Sequence, residues 1–217
     1  MRKLCLALTA AASLAAVPAF AADPPEPPIS NPTSMVDSVG ADQFADLMRE
    51  LGAQQVQVRE AEGQKVVTFF NGEVPYNAAF SLCDIRPGKC LALTMLVVVN
   101  LGTAAAPPLE SLNNLNGGMY VTAVKIDANR FAVGRVEIVD GGVTKKNLAI
   151  NAGSFIVTFE AFMKALSQQV VASVQPRNAN LSVPVRPRAV FATPAEIAQV
   201  TKAMSANYAT TLQRARR

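Results

Sequence analysis

The sequence predicts an α+β fold, an antiparallel sheet flanked by helices in the order α-β-β-β-α-β-β-α, with a C-terminal extension that carries an amphipathic helix. Three observations predict it. Apolar residues recur at helical spacing in separate stretches, and between them the period drops to two in short runs rich in β-branched and aromatic residues. The runs are joined by short turn-like connections, which suit antiparallel neighbours rather than the long crossovers of a parallel sheet.

The elements follow in order along the chain. Arg2 and Lys3 precede the apolar run "LCLALTAAASLAAV", and "AFA" at 19–21 resembles a cleavage site, so residues 1–21 read as a signal peptide cut after Ala21. That predicts a periplasmic or secreted protein. Residues 22–36, "ADPPEPPISNPTSMV", form a Pro-rich linker expected to stay extended and to contribute no core. The domain proper is expected over 37–172. Phe44, Leu47, Met48 and Leu51 give a first helix, stopped at Gly52. "QVQVRE", "KVVTFF", "EVPYNAAFSL" and "LALTMLVVVNL" read as strand material, with Asn71-Gly72 as a hairpin signal. The apolar run 91–99 is too short to cross a bilayer and fits a buried central strand.

A short helix is expected over 109–116, then two strands, "MYVTAVKID" and "RFAVGRVEIV". Leu148, Ala152, Phe155, Phe159, Phe162, Leu166 and Val170 then form one apolar stripe on a long helix with Thr144 as its cap. Such a stripe is core packing. Ile150 and Val157 lie on the other side of that helix and suggest a second buried contact.

Cys83 and Cys90 stand with six residues between them around "RPGK", where Pro then Gly suit a tight turn. In an oxidising compartment this pair is most simply a disulfide, which in the chain-entropy picture stabilises the fold by about 2–2.5 kcal/mol. The third cysteine, Cys5, falls in the leader. A structural zinc site wants about four Cys or His ligands, and the chain has no histidine. Thiol–disulfide catalysis generally uses a two-residue spacing that this pair lacks.

The lack of histidine also removes Ser-His-Asp and Cys-His catalysis. Neither a G-x-x-x-x-G-K-[ST] loop nor a G-x-G-x-x-G turn is present, and the acidic residues are scattered singly. No catalytic constellation, metal site or cofactor site is expected, and the reading is of a non-enzymatic protein.

The segments "MRELG", "FSLCDIRPGKC", "LNNLN", "GRVEIVDGGVT" and "NLAINAGSFIVTFEAFMKAL" together resemble the YbjN family, described as bacterial sensory transduction regulators. The resemblance covers roughly residues 36–170, and its most specific parts are the Cys83 to Cys90 element and Gly141-Gly142-Val143-Thr144. It departs from the family at Leu115, where an aromatic residue often precedes the asparagine corresponding to Asn116. The resemblance implies a fold similar to type III secretion chaperones, small proteins that dimerise and bind polypeptide segments. It supplies no catalytic residues.

Beyond the domain, 173–193 is a basic, Pro-containing connector, and 194–217 opens with Thr193 as cap, Pro194 at the first helical position and Glu196 completing a capping box. Ile197, Val200, Met204, Tyr208 and Leu212 then form one apolar face. Residues 22–172 hold eleven Lys/Arg against fifteen Asp/Glu, a net of −4, whereas 173–217 hold seven against one, a net of +6. The basic tail therefore suits either its own acidic domain or a partner. Its candidate partner or membrane contacts are Arg186, Arg188, Ile197, Val200, Met204, Tyr208, Leu212, Arg214, Arg216 and Arg217.

These features predict an exported binding or chaperone-like protein that forms a homodimer and engages a protein or peptide partner. The alternative is an envelope protein held at an anionic membrane surface by the tail helix. Nucleic acid is not an expected partner of an exported protein.

Overall fold

In a computed structural model of the protein, the described residues are 29–61, 63–83, 89–102, 107, 112–113, 116, 121–173, 188–193 and 195–204. The signal peptide, the linker up to residue 28 and the Pro87-Gly88 turn lie outside them. So does most of the 109–116 segment, of which residues 112, 113 and 116 are helical.

The elements run β1 (Met35–Val36), α1 (Ala41–Glu50), β2 (Gln54–Ala61), β3 (Gln64–Asn71), β4 (Val74–Ser81), β5 (Ala92–Asn100), β6 (Thr122–Lys125), β7 (Arg130–Ile138), β8 (Val143–Thr144), α2 (Lys145–Ser173) and β9 (Arg188–Val190). Residues 195–204 form a last helix, α3. The main sheet has the order β2-β3-β4-β5-β7-β6, with β9 added beside β5, and each pairing is antiparallel. The fold is α+β, as the sequence predicts. Four strands rather than three follow α1, because the runs before and after the cystine are separate partners, pairing Asn77–Ser81 with Ala92–Leu96.

Local chemistry sets the helix ends. At the end of α1 the Gly52 N–H donates to the Arg49 carbonyl and the Ala53 N–H to that of Met48. This 5→2 and 6→1 pair needs a left-handed residue, which Gly52 supplies at φ +81°. At the start of α2 the Asn147 N–H donates to Thr144 Oγ1, as the sequence predicts for this cap. The Lys145 and Lys146 N–H groups donate to the carbonyls of Ser34 and Pro32. The end of the Pro-rich segment thus satisfies amides that a helix start leaves orphaned. For that reason it does not stay outside the core: β1 pairs with β8, and Val36 is buried.

The sheet is covered on both faces. On the first, Val67, Phe69, Tyr76, Phe80, Leu93, Met95, Val97, Phe131 and Val133 meet Phe44, Leu47 and Met48 of α1 and Leu148, Ala152, Phe155, Phe159, Phe162 and Leu166 of α2. The aromatic stripe is core. Tyr76 stacks on Phe69 at 5.4 Å and meets Phe155 and Phe159 edge-on at 6.0 and 5.8 Å. On the second face, Val66, Ala79, Leu96, Val98 and Ala132 meet Ile197, Val200 and Met204 of α3.

Burial on both faces explains why β5 reads as a continuous apolar run: Ala92–Val99 are all buried. Helix α2 is long and apolar enough, by length and composition, to cross a membrane, but its main stripe is used on the sheet. Ile150 and Val157 do not find the second buried contact expected of them. They remain 53% and 66% exposed, because they project from the side of α2 that faces away from the sheet.

Candidate functional site

Cys83 and Cys90 are disulfide-bonded. The bridge sits where three segments meet. The Val39 and Cys90 backbones exchange hydrogen bonds of 2.8 and 2.9 Å, the Leu91 N–H donates to the Leu82 carbonyl, and the Val139 N–H donates to that of Leu91. Cystine formation therefore ties the end of β4 to the start of β5 beside the first turn of α1. Leu82 holds φ +59°, a left-handed conformation rare for a branched residue, as the chain leaves β4 for the bridge. A disulfide here is compatible with an oxidising compartment.

The second face of the sheet is the candidate site, and it is built to hold a strand followed by a helix. Strand β4 pairs with β5 only as far as Asn77 and Leu96. Further along, β4 carries Pro75, which has no N–H to donate. The free edge of β5 is taken by β9, with Val98, Val99 and Asn100 opposite Val190, Ala189 and Arg188. The chain then turns through Phe191, whose ring meets Phe70 edge-on at 5.4 Å. It enters α3 through a reciprocal capping box: the Glu196 N–H donates to Thr193 Oγ1, and the Thr193 N–H donates to Glu196 Oε2 at 2.8 Å.

Burial and charge hold the helix in place. Ile197, Val200 and Met204 are 4%, 2% and 2% exposed. Met204 lies over Gly134: a Cβ there would stand 2.7 Å from Met204 Sδ. Gly134 is the notch that lets the thioether approach the strand. Arg130, at the start of β7, pairs with both Glu196 and Asp127. Burial works to raise the Glu196 carboxyl, but hydrogen bonds from Thr193 and the Arg130 charge outweigh it and hold the group below its ordinary range. Asp127 is likewise lowered, first by its hydrogen bond from Arg130.

Beneath the helix the sheet is less apolar than on its first face. Thr68 donates to Asn77 Oδ1 at 3.0 Å within the buried layer. Asn77 and Thr94 are 2% and 0% exposed. The Asn77 carboxamide nitrogen, Thr94 Oγ1 and Ser81 Oγ have no hydrogen-bond partner among the described residues. Buried polar groups left in this state cost stability, about 1–3 kcal/mol each in mutational terms.

Other titratable groups serve as ties. Glu50 is lowered by its hydrogen bonds from Lys145 and Ser30, with a Lys145 Nζ to Glu50 Oε2 distance of 2.7 Å. Glu137 is raised by burial, against the pull of Arg135 at 2.5 Å and Asn151 at 2.9 Å. Burial also pushes the Tyr76 phenol upward, and Glu160 adds to it. Among the described residues no group of three His, Cys, Asp or Glu is placed to hold a metal ion.

The structure thus brings together part of the tail set read from sequence. Ile197, Val200 and Met204 are packed on the chain's own sheet, so they are not a free partner or membrane surface. Arg188 is exposed within β9. Arg186, Tyr208, Leu212, Arg214, Arg216 and Arg217 lie outside the described residues. Sequence reasoning missed the acceptor half, Arg130, Gly134, Asn77 and Thr94. The signals for it were a glycine inside the strand "RFAVGRVEIV" and a proline inside "EVPYNAAF". No family model, curated protein or solved structure matches the chain.

Proposed function

We propose that this is an exported, non-enzymatic binding protein, chaperone-like in the manner its YbjN resemblance implies, which engages polypeptide segments on the second face of its sheet. The observation that carries this reading is the occupant of that face. A strand-plus-amphipathic-helix segment lies there by β-addition to β5 and by three apolar side chains, two recurrent ways of recognising peptides. A partner segment of the same pattern would displace it and find the buried Asn77 and Thr94 groups open to hydrogen bonding. The placement of the described carboxylates Glu50, Asp127, Glu137 and Glu196 in ion pairs supports a binding role over an acid–base one.

The membrane-surface reading is the weaker of the two. It needs the apolar face of α3, and Ile197, Val200 and Met204 are buried on the sheet. The test is photocrosslinking in intact cells, with the crosslinker at half-buried Val124, a sheet residue packed against the second-face cluster, and, as control, at exposed Val157. Adducts with other polypeptides at position 124 and not at 157 are expected. Adducts with other polypeptides at neither position, or lipid alone at 124, would contradict the proposal.

A further inference from the structure

We infer that the tail segment exchanges between two copies of the chain, residues 188–204 of each lying on the second sheet face of the other. The inference rests on the proposal that this face receives a displaceable strand-plus-helix segment. The contacts described for the segment are made by residues 188–204 on one side and by β3, β4, β5 and β7 on the other. A second copy supplies the same donor set to the same acceptor, so the register of Val190 on Val98 and the seat of Met204 over Gly134 are reproduced unchanged.

Three further observations favour exchange. Donor and acceptor are joined by the fourteen residues 174–187, three of them proline, a length that at about 3.1 Å per residue limits their reach to roughly 43 Å. That is ample to reach a neighbouring molecule. Charge is complementary between chains as well as within one, since the domain carries −4 and the tail +6. The dock also holds its occupant less firmly than the first face holds α2, because the tail helix buries three apolar side chains on it, Ile197, Val200 and Met204, where α2 buries seven on the first face. Release and recapture are therefore within reach of thermal opening.

The test uses the full exported chain with Val98→Cys and Val190→Cys, two residues paired across the β5–β9 ladder. The double variant is made with Cys83 and Cys90 replaced by serine, so that the two engineered thiols are the only cysteines of the chain after its leader; after incubation reduced and then oxidation, exchange predicts a disulfide-linked dimer on a non-reducing gel, its fraction rising with protein concentration. Closure only within single chains at every concentration overturns the inference. Sedimentation of the unaltered chain probes exchange without the variant: a reversible dimer is expected, and a strict monomer up to high micromolar concentration overturns exchange. A labelled peptide of residues 188–204 added to the unaltered chain distinguishes exchange from polypeptide binding. Peptide binding with intrachain closure removes exchange and leaves the polypeptide-binding reading standing, whereas no peptide binding with intrachain closure removes both.

Discussion

On its first face the sheet is covered by two helices that follow or precede it directly, and α2 alone lays seven buried apolar residues on it, Ala149 among them and three of them phenylalanines packed against Tyr76 and Phe131. On its second face the cover is a short segment from the far end of the chain, which contributes three buried apolar residues and a three-residue strand over a layer that contains Thr68, Asn77 and Thr94. At about 1.5–3 kcal/mol per buried large apolar side chain, the first face dominates stability. The second face holds its cover through a few contacts, so the tail is expected to open without the rest of the domain. One sheet thus has a structural side and an exchangeable side.

The sharpest way to break this comparison is to delete matched contacts. Phe155→Ala should cost about 3–5 kcal/mol in denaturant-induced unfolding, since it opens a cavity beside Tyr76. Met204→Ala should lower global stability by less than half as much, while stripping protection from α3; an equal global loss would make the two faces equivalent. Replacing both Cys83 and Cys90 by serine should cost about 2–2.5 kcal/mol, read by thermal unfolding, and should act on the domain as a whole because the bridge joins β4 to β5. Thr193→Ala removes the cap of α3 and should weaken the tail by about 1 kcal/mol, seen in hydrogen exchange over 195–204 with the domain unchanged.

The smallest effect is that of acid. Glu196 and Asp127 sit below their ordinary carboxylate values in the folded protein, so the stability they contribute is present above about pH 4–5 and is lost as pH falls through the folded values. The tail should therefore loosen on acidification, and Glu196→Gln, worth below about 1 kcal/mol at neutral pH, should flatten that response. Glu137, raised by burial, works with the opposite sign: its protonated form is the one the fold prefers, so falling pH relieves the domain there while it loosens the tail. A tail and domain that lose protection in parallel on acidification would blur the distinction between faces.

Much of the first face was legible in the sequence because it obeys single-element rules. The stripe from Leu148 to Leu166 has helical period, Gly52 and Thr144 mark helix ends, and Asn71-Gly72 leads into the β3–β4 hairpin. The donor half of the second face was legible for the same reason, through the Thr193 and Glu196 capping box and the Ile197, Val200 and Met204 face. The acceptor half was not. Burial on both faces erases the period-two alternation in β5, so the sequence of that strand cannot say which residues lie beneath α2 and which beneath α3. Arg130 and Gly134 act through Glu196 and Met204, far along the chain, a pairing that only the folded molecule displays. Ile150 and Val157 show the converse limit: apolar spacing on a helix marks what could be buried, and the structure leaves both exposed.

The most direct measurement of the difference between the two faces is native-state hydrogen exchange on the full chain. Amides of α3 and β9 are predicted to exchange through a local opening that is insensitive to denaturant, while those of β5 and α2 exchange only on global unfolding. Protection of α3 and β9 at the same level as β5 and α2, with the same denaturant dependence, would contradict an exchangeable second face.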